Sequence, residues 1–148
     1  MKIEIINISD SDKHFAEAIG EYVKRMGWGI TLTDLKPVKH GTTAQIIESE
    51  TQLIIDQLHK KDVATYLLSK EGKQLSTEEF GQLLPQHDHH LRFVIGGPFG
   101  LNESLLKPYV VGKLAFGQIT MPHGLAKLVL VEQCYRIQQI IDGRQYHY

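Results

Sequence analysis

Short runs of strand-forming residues alternate with helical segments along the whole chain, and this alternation constrains the fold more than any other feature. The predicted strands are Lys2–Ile8, Gly29–Val38, Val63–Leu68 and Leu91–Ile95. The last two are almost uninterrupted apolar runs, which is typical of strands buried on both faces of a parallel sheet. We therefore predict an α/β fold, with a mostly parallel sheet flanked by helices on both faces.

The segments between these runs carry helix signals. Predicted helices start at Ser9 or Asp10, at Gly41–Thr42, at the capping box of Ser76 and Glu79, at Asn102, and after Pro122. The last predicted helix runs from His123 to about Asp142, and its Leu128–Val131 turn is apolar all round. That turn predicts burial on more than one side or at a subunit interface. Lys113–Phe116 and Gln118–Met121 are predicted to be short strand pieces around Gly117.

Length and composition indicate one globular domain over residues 1–148. Hydrophobic residues make up 42% of the chain, which is enough for a packed core. The single cysteine, Cys134, excludes an internal disulfide framework and suits a reducing compartment, so we expect a cytoplasmic protein. The chain has no run of about 18 apolar residues, so no membrane span is expected.

The formal net charge of −1 limits the kinds of molecule that the protein is expected to bind. Many nucleic-acid-binding domains are strongly basic, so composition alone favours an enzyme that acts on a small molecule. A protein of this charge that binds RNA needs a local basic patch, which a second subunit can complete.

Three segments are predicted to follow strand ends: Leu68–Gly72, Gly96–Gly100 and Gly117–Pro122. In open α/β sheets ligands bind beyond the carboxyl ends of the strands, and glycine lets a ligand approach the backbone. The glycine spacing matches neither a Walker loop nor a dinucleotide fingerprint. Two interpretations stay open: a flat nucleoside held by backbone amides, or tight turns with no ligand. On the first, a bulky residue at Gly97 blocks the ligand and leaves the fold intact.

Two other groups of reactive side chains are predicted to be structural. His87, His89 and His90 share one polar turn, and no cysteine or distant histidine pair completes a metal site. We therefore predict a solvated turn and no metal. Cys134 lies on the apolar stripe of the last helix and is predicted to pack in the core.

The C-terminal Tyr146-His147-Tyr148, which follows Arg144, has two interpretations. Chain ends are commonly frayed and carry no function. Aromatic rings beside an arginine also suit contact with an unstacked nucleobase.

Several motifs together resemble those of one family. They are Phe93–Gly100 (FVIGGPFG), Gln118–His123 (QITMPH), Glu132–Arg136 (EQCYR) and the closing Tyr146-His147, with Leu68, Gly72-Lys73 and Leu75–Phe80 in the expected order. Their order, their spacing and the chain length are similar to those of the RlmH family of SPOUT-class methyltransferases. The resemblance covers the whole chain.

The resemblance implies a function and a set of sites. The family uses S-adenosylmethionine to methylate N3 of a pseudouridine in 23S ribosomal RNA of the large ribosomal subunit. Its members act as homodimers and have a trefoil knot in the C-terminal half. The implied catalytic residues, beside the reacting base, are Tyr146 and His147. The implied cofactor contacts are Leu68, Gly97, Gly117, Gln118, Ile119, Thr120, Met121 and Pro122.

One departure from the family pattern affects the tail. Tyr148 stands where the family commonly has Arg or Lys, so Arg136 and Arg144 are the candidate residues to contact RNA. His147 is predicted either to remove the N3 proton as a general base or only to orient the target base. Two alternative functions stay open: a nonenzymatic RNA-binding protein of the same fold, which the missing cation favours, and a small-molecule methyltransferase, which the near-zero charge favours.

Overall fold

The computed structural model describes residues 1–10, 13–59, 62–87 and 89–146. Five strands form one sheet: β1 (Lys2–Ile8), β2 (Gly29–Leu35), β3 (Ala64–Gln74), β4 (His90–Ile95) and β5 (Gly112–Ala115). In the described ranges the α-helices that flank it are α1 (Lys13–Arg25), α2 (Thr43–Leu58), α3 (Thr77–Gly81), α4 (Glu103–Leu106) and α5 (His123–Ile141). Two short 3-10 helices cover Leu84–His87 and Lys107–Tyr109.

The sheet confirms the predicted α/β architecture. Its order is β2-β1-β4-β3-β5, and every neighbouring pair is parallel. Because all five strands run in one direction, their carboxyl ends lie along a single edge. The segments that follow β1, β2, β4 and β5, and a bulge in β3, are therefore gathered at that edge.

Alternation along β1 divides the core into two layers. Ile3 and Ile5 belong to the layer beneath α1, α3 and α5, and Ile6 and Ile8 belong to the layer beneath α2 and α4. Successive residues of a strand face opposite sides of the sheet, so one strand supplies both layers. Helices therefore cover both faces of the sheet, as predicted from the nearly continuous apolar strands.

The third strand is longer than its apolar run predicted. β3 continues to Gln74 and pairs with β5 both before and after an irregularity between Leu68 and Lys73. The predicted strand-end segment Leu68–Gly72 is therefore an irregular, bulged part of β3. Gly72 lies so close to β5 that a Cβ there would be 2.5 Å from the Leu114 carbonyl carbon.

The strand prediction for Gln118–Met121 is wrong. That segment is a loop that follows β5. Gly117, at φ +119°, turns the chain away from the direction of β5, so the segment does not continue the pairing with β3.

The last helix, α5, packs against α1, α3, β1 and β4. In the predicted Leu128–Val131 turn, Leu130 and Val131 are fully buried within the single chain, whereas Leu128 and Val129 are half-buried. Burial of this turn is therefore confirmed in part, and its place at a subunit interface stays a prediction. Burial first, and the negative charge of Glu132 second, raise the pKa of the Cys134 thiol to about 12, as expected for a packed and unreactive cysteine. Within the described ranges, no helix is long and apolar enough to cross a membrane.

Candidate active site

The candidate site is a cavity of about 790 Å³ at the carboxyl edge of the sheet. Three chain segments form it: the bulge of β3, the Gly96–Gly100 loop after β4, and the Gly117–Pro122 loop before α5. Seven of the eight expected cofactor contacts line this cavity: Leu68, Gly97, Gly117, Ile119, Thr120, Met121 and Pro122. Gln118 is exposed and does not line it. Small-molecule sites typically enclose about 300–1,000 Å³, so the volume suits a nucleoside-sized ligand.

Close packing against the protein interior, as well as the shape of the cavity, favours a glycine at position 97. A Cβ at this position would lie 2.7 Å from Oε2 of Glu50 and 3.1 Å from Cγ2 of Ile8. Glu50 is 1% exposed, and its Oε1 accepts a hydrogen bond from the Val38 N–H (3.0 Å). A side chain at Gly97 is therefore expected to displace either this carboxylate or the loop. That a larger residue fills the ligand space and leaves the fold intact stays a prediction, and the contact with Glu50 argues against its second part.

The cavity is also lined by a fixed carboxylate that sequence analysis missed. Oε1 of Glu103, in α4, accepts a hydrogen bond from Oγ of Ser69 (2.7 Å), and Oε2 accepts one from Nζ of Lys113 (2.7 Å). Partial burial raises the pKa of Glu103, but the bonds from Lys113 and Ser69 outweigh it and lower the pKa below 4.5. The group is therefore ionised at neutral pH.

Two apolar side chains at the rim of the cavity remain open to solvent. Phe99 is 53% exposed and Ile119 is 78% exposed, and both line the cavity. Exposed apolar groups beside a cavity commonly mark a surface that contacts a ligand or a partner.

The tail turns back along α5 after Gly143. This glycine has φ +68°, its N–H donates to the Ile140 carbonyl (3.1 Å), and the Arg144 N–H donates to the Gln139 carbonyl (2.9 Å). These two bonds form a Schellman C-cap, which needs a left-handed residue at this position. The turn brings Tyr146 back against the helix.

Tyr146 packs on the surface of α5 and α1. Its ring meets the Tyr135 ring edge-on, with 5.1 Å between centroids. Burial first, and the interaction with the Tyr22 side chain second, raise the pKa of Tyr146 above 10.0. The phenol therefore stays protonated at neutral pH and is no general base. His147 and Tyr148 lie outside the described residues.

The two predicted RNA contacts differ in their surroundings. Arg136 donates to Oε1 of Glu132 from Nε (3.0 Å) and from Nη2 (2.6 Å), and Nη1 donates to the Tyr146 carbonyl (3.4 Å). Arg136 thus holds the tail in place. Arg144 is exposed on the turn itself.

The cavity and the tail lie toward opposite ends of α5 in one chain. Ala126 lines the cavity, whereas Arg136, which touches Tyr146, lies ten residues further along the helix. That interval corresponds to a rise of about 15 Å. None of the described tail residues 142–146 lines the cavity.

The histidines of the 87–90 turn are more ordered than a solvated turn requires. Nε2 of His87 lies 3.0 Å from the Tyr66 hydroxyl, and Nε2 of His90 lies 3.0 Å from Oε1 of Glu4. His89 is exposed. Within the described ranges, no group of three or more His, Cys, Asp or Glu side chains is arranged to hold a metal ion.

Comparison with known proteins agrees with this geometry. The family model described as "Predicted SPOUT methyltransferase" matches residues 1–147. Proteins named "Ribosomal RNA large subunit methyltransferase H" are 34% identical in Parabacteroides distasonis, 32% in Mycoplasmopsis pulmonis and 36% in Streptococcus suis. These matches cover 99–100% of this chain and 99% of each relative. The chain therefore belongs to the SPOUT methyltransferase family.

Proposed function

We propose that this protein transfers a methyl group from S-adenosylmethionine to N3 of a pseudouridine in the RNA of the large ribosomal subunit. The observation that carries the proposal is the cavity at the carboxyl edge of the sheet, because seven of the eight expected cofactor contacts line it. The names of the full-length relatives support ribosomal RNA as the substrate. A cytoplasmic location, the family's trefoil knot and one domain over residues 1–148 are parts of the same proposal.

The cavity fits the methyl donor in chemistry as well as in volume. Gly97 and the Gly117–Pro122 loop present backbone to a flat base, and Ile95, Leu114 and Met121 supply apolar walls. When bound, S-adenosylmethionine supplies an activated methyl electrophile, so the protein's task is alignment and proton removal.

The tail is proposed to act on the target base. The N3 proton of pseudouridine is only weakly acidic, so its removal is helped by a base whose pKa lies near neutrality. His147 is the proposed base, because imidazole titrates in this range. Tyr146 stays a neutral phenol and is proposed to position the base by ring contact and hydrogen bonding.

The separation of cavity and tail supports a homodimer. In one chain Tyr146 lies about 15 Å along α5 from the cavity wall, so we propose that the tail of one subunit completes the cavity of the other. The accessible surface of one chain is 8628 Å². A compact monomer of 16.8 kDa is expected to expose about 7,650 Å². This chain exposes more surface than that, as expected if part of its surface is buried in a dimer interface.

RNA contact is proposed to come from a local patch, because the formal net charge is only −1. Arg144 is exposed and is the proposed contact to RNA phosphate. The charge of Arg136 is already matched by Glu132, so its proposed role is to hold the tail.

One transfer experiment distinguishes the proposed function from the two alternative functions. Purified protein is incubated with methyl-labelled S-adenosylmethionine and either large ribosomal subunits or a pool of small metabolites. We expect label in the subunit RNA only. Binding of the donor without transfer favours a nonenzymatic RNA-binding protein, and label in the metabolite pool favours a small-molecule methyltransferase. Either result contradicts the proposal.

A further inference from the structure

The Ser69–Glu103–Lys113 network gives the cavity lining a fixed negative charge. Glu103 lines the cavity as an ionised carboxylate, whereas the Gly96–Gly97 and Gly117–Pro122 loops line it mainly with backbone and apolar groups. The methyl donor is divided in a similar way, because its adenosine is flat and uncharged while its amino-acid part carries an ammonium group beside its carboxylate. We propose that Glu103 binds the ammonium group of the cofactor's amino-acid part. This assignment rests on the proposed function and names a subsite within it.

Glu103 is fixed before any ligand arrives. Its two oxygens accept the short bonds from Ser69 and Lys113, and the side chain is only 34% exposed. The start of α4 is also anchored, since the Asn102 N–H donates to Oγ1 of Thr51 (2.9 Å). A carboxylate that is already oriented loses little side-chain entropy when it binds a cation.

The two existing bonds leave room for an ammonium group. Each carboxylate oxygen has two lone-pair sites, and Ser69 and Lys113 use one on each oxygen. An ammonium group donates up to three hydrogen bonds, and bonds between ionised partners are roughly twice as strong as neutral ones. Lys113 does not line the cavity, so it orients the carboxylate from outside.

The neighbouring carboxylate, Glu71, is a weaker candidate. It also lines the cavity, but the residue is exposed, and the hydrogen bond to Oγ of Ser69 (3.3 Å) comes from its backbone N–H and does not orient the carboxylate. An exposed carboxylate competes with water for the cation and gains little from the contact. Glu103 is therefore the group assigned to this subsite.

The assignment predicts a selective binding defect in the full-length protein. Glu103→Gln keeps the shape of the side chain and removes its charge. Calorimetry should show weaker binding of S-adenosylmethionine and of S-adenosylhomocysteine, by about tenfold or more for each. Binding of 5′-methylthioadenosine, which lacks the amino-acid part, should stay within about twofold of wild type, since no charged contact is lost. Glu48→Gln, the same change on the exposed face of α2, should alter none of the three.

Binding of the three ligands distinguishes failure of the Glu103 assignment from failure of the proposed function. An unchanged affinity of Glu103→Gln for S-adenosylhomocysteine overturns the assignment. So does an equal loss for 5′-methylthioadenosine, because it shows a general change in the cavity. A loss confined to S-adenosylmethionine also overturns it, since the carboxylate would then respond to the sulfonium. A wild-type protein that binds none of the three contradicts the proposed function itself, whereas the other outcomes leave that function standing.

Discussion

The guanidinium carbon of Arg136 lies 4.9 Å from the centroid of the Tyr146 ring, and the same guanidinium is bound to Glu132. Cation–π contacts of this kind contribute about 0.5–1 kcal/mol at exposed sites. Together with the ring of Tyr135, they hold the described end of the tail on α5. The tail up to Tyr146 therefore has a defined position on α5, and the interpretation of this part as a frayed end does not apply.

Deletion of residues 146–148 should abolish methyl transfer and leave cofactor binding almost unchanged. In one chain the described tail lies away from the cavity, and the tail of the partner subunit is proposed to contact the target base and not the donor, so donor binding should be kept. Because Tyr146 packs on the Tyr135 ring and lies beneath the Arg136 guanidinium, the deletion should also lower the free energy of unfolding, by about 1 kcal/mol. Transfer assays, calorimetry and urea denaturation measure the three effects.

The matched point variant for the tail is His147→Ala, which should slow transfer by about 10²-fold or more if His147 is a general base. A smaller decrease identifies a group that only orients the target base. Transfer at the full rate by the truncated protein would remove the tail from the mechanism.

Gly97→Ala and Gly20→Ala should change stability in opposite directions. At Gly97 the added methyl meets the held carboxylate of Glu50, so we expect a destabilisation of about 1–3 kcal/mol and weaker donor binding. At Gly20, inside α1, no atom lies within 4 Å of the added methyl, so better helix propensity should stabilise the protein by about 0.5–1 kcal/mol. Urea denaturation measures both. Native stability in Gly97→Ala would mean that the loop adapts freely.

Stability should fall as the pH drops below the unfolded pKa of Glu4. Burial raises the pKa of Glu4, but Arg92 and His90 outweigh it and lower the folded pKa below 4.5. A carboxyl group with a lowered folded pKa stabilises the protein above its unfolded pKa, and this contribution disappears as the pH falls through the folded value. Urea midpoints between about pH 6 and pH 3 should therefore decline less steeply in Glu4→Gln than in wild type. Parallel curves would show that Glu4 adds nothing to the acid sensitivity.

The Cys134 thiol should resist modification while the protein is folded. Its side chain is fully buried, and its pKa of about 12 leaves almost no thiolate at neutral pH. A thiol reagent such as Ellman's should react slowly with native protein and at once in guanidinium chloride. Rapid reaction of the native protein would indicate that α5 opens easily.

Local patterns predicted most of the sheet, because each buried strand shows its burial in its own residues. The apolar run of Leu91–Ile95 and the alternation in β1 are examples. The continuation of β3 was missed because Lys70, Glu71 and Lys73 resemble a loop. They are compatible with a strand here because β5 pairs on that side and the bulge lies in solvent.

The site was predictable only where strand ends determine it. Gly97 and the Gly117–Pro122 loop follow strands, so the rule for parallel sheets brings them together. Ser69 and Glu103 are 34 positions apart, and their hydrogen bond depends on the depth of the β3 bulge. The distance between the tail and the cavity depends on how α5 packs, which no local motif encodes.

Methyl transfer to N3 of pseudouridine can be measured by nucleoside mass spectrometry of large-subunit RNA after reaction with the purified protein and S-adenosylmethionine. The substrate is a large subunit that lacks the methyl group, and the matched control carries uridine in place of the target pseudouridine. We predict one 3-methylpseudouridine in the first RNA and no added methyl group in the second, because a site built for the N1–H donor disfavours a base without it. A methyl group on another nucleoside, equal methylation of the uridine control, or no methyl group in either RNA would contradict the account.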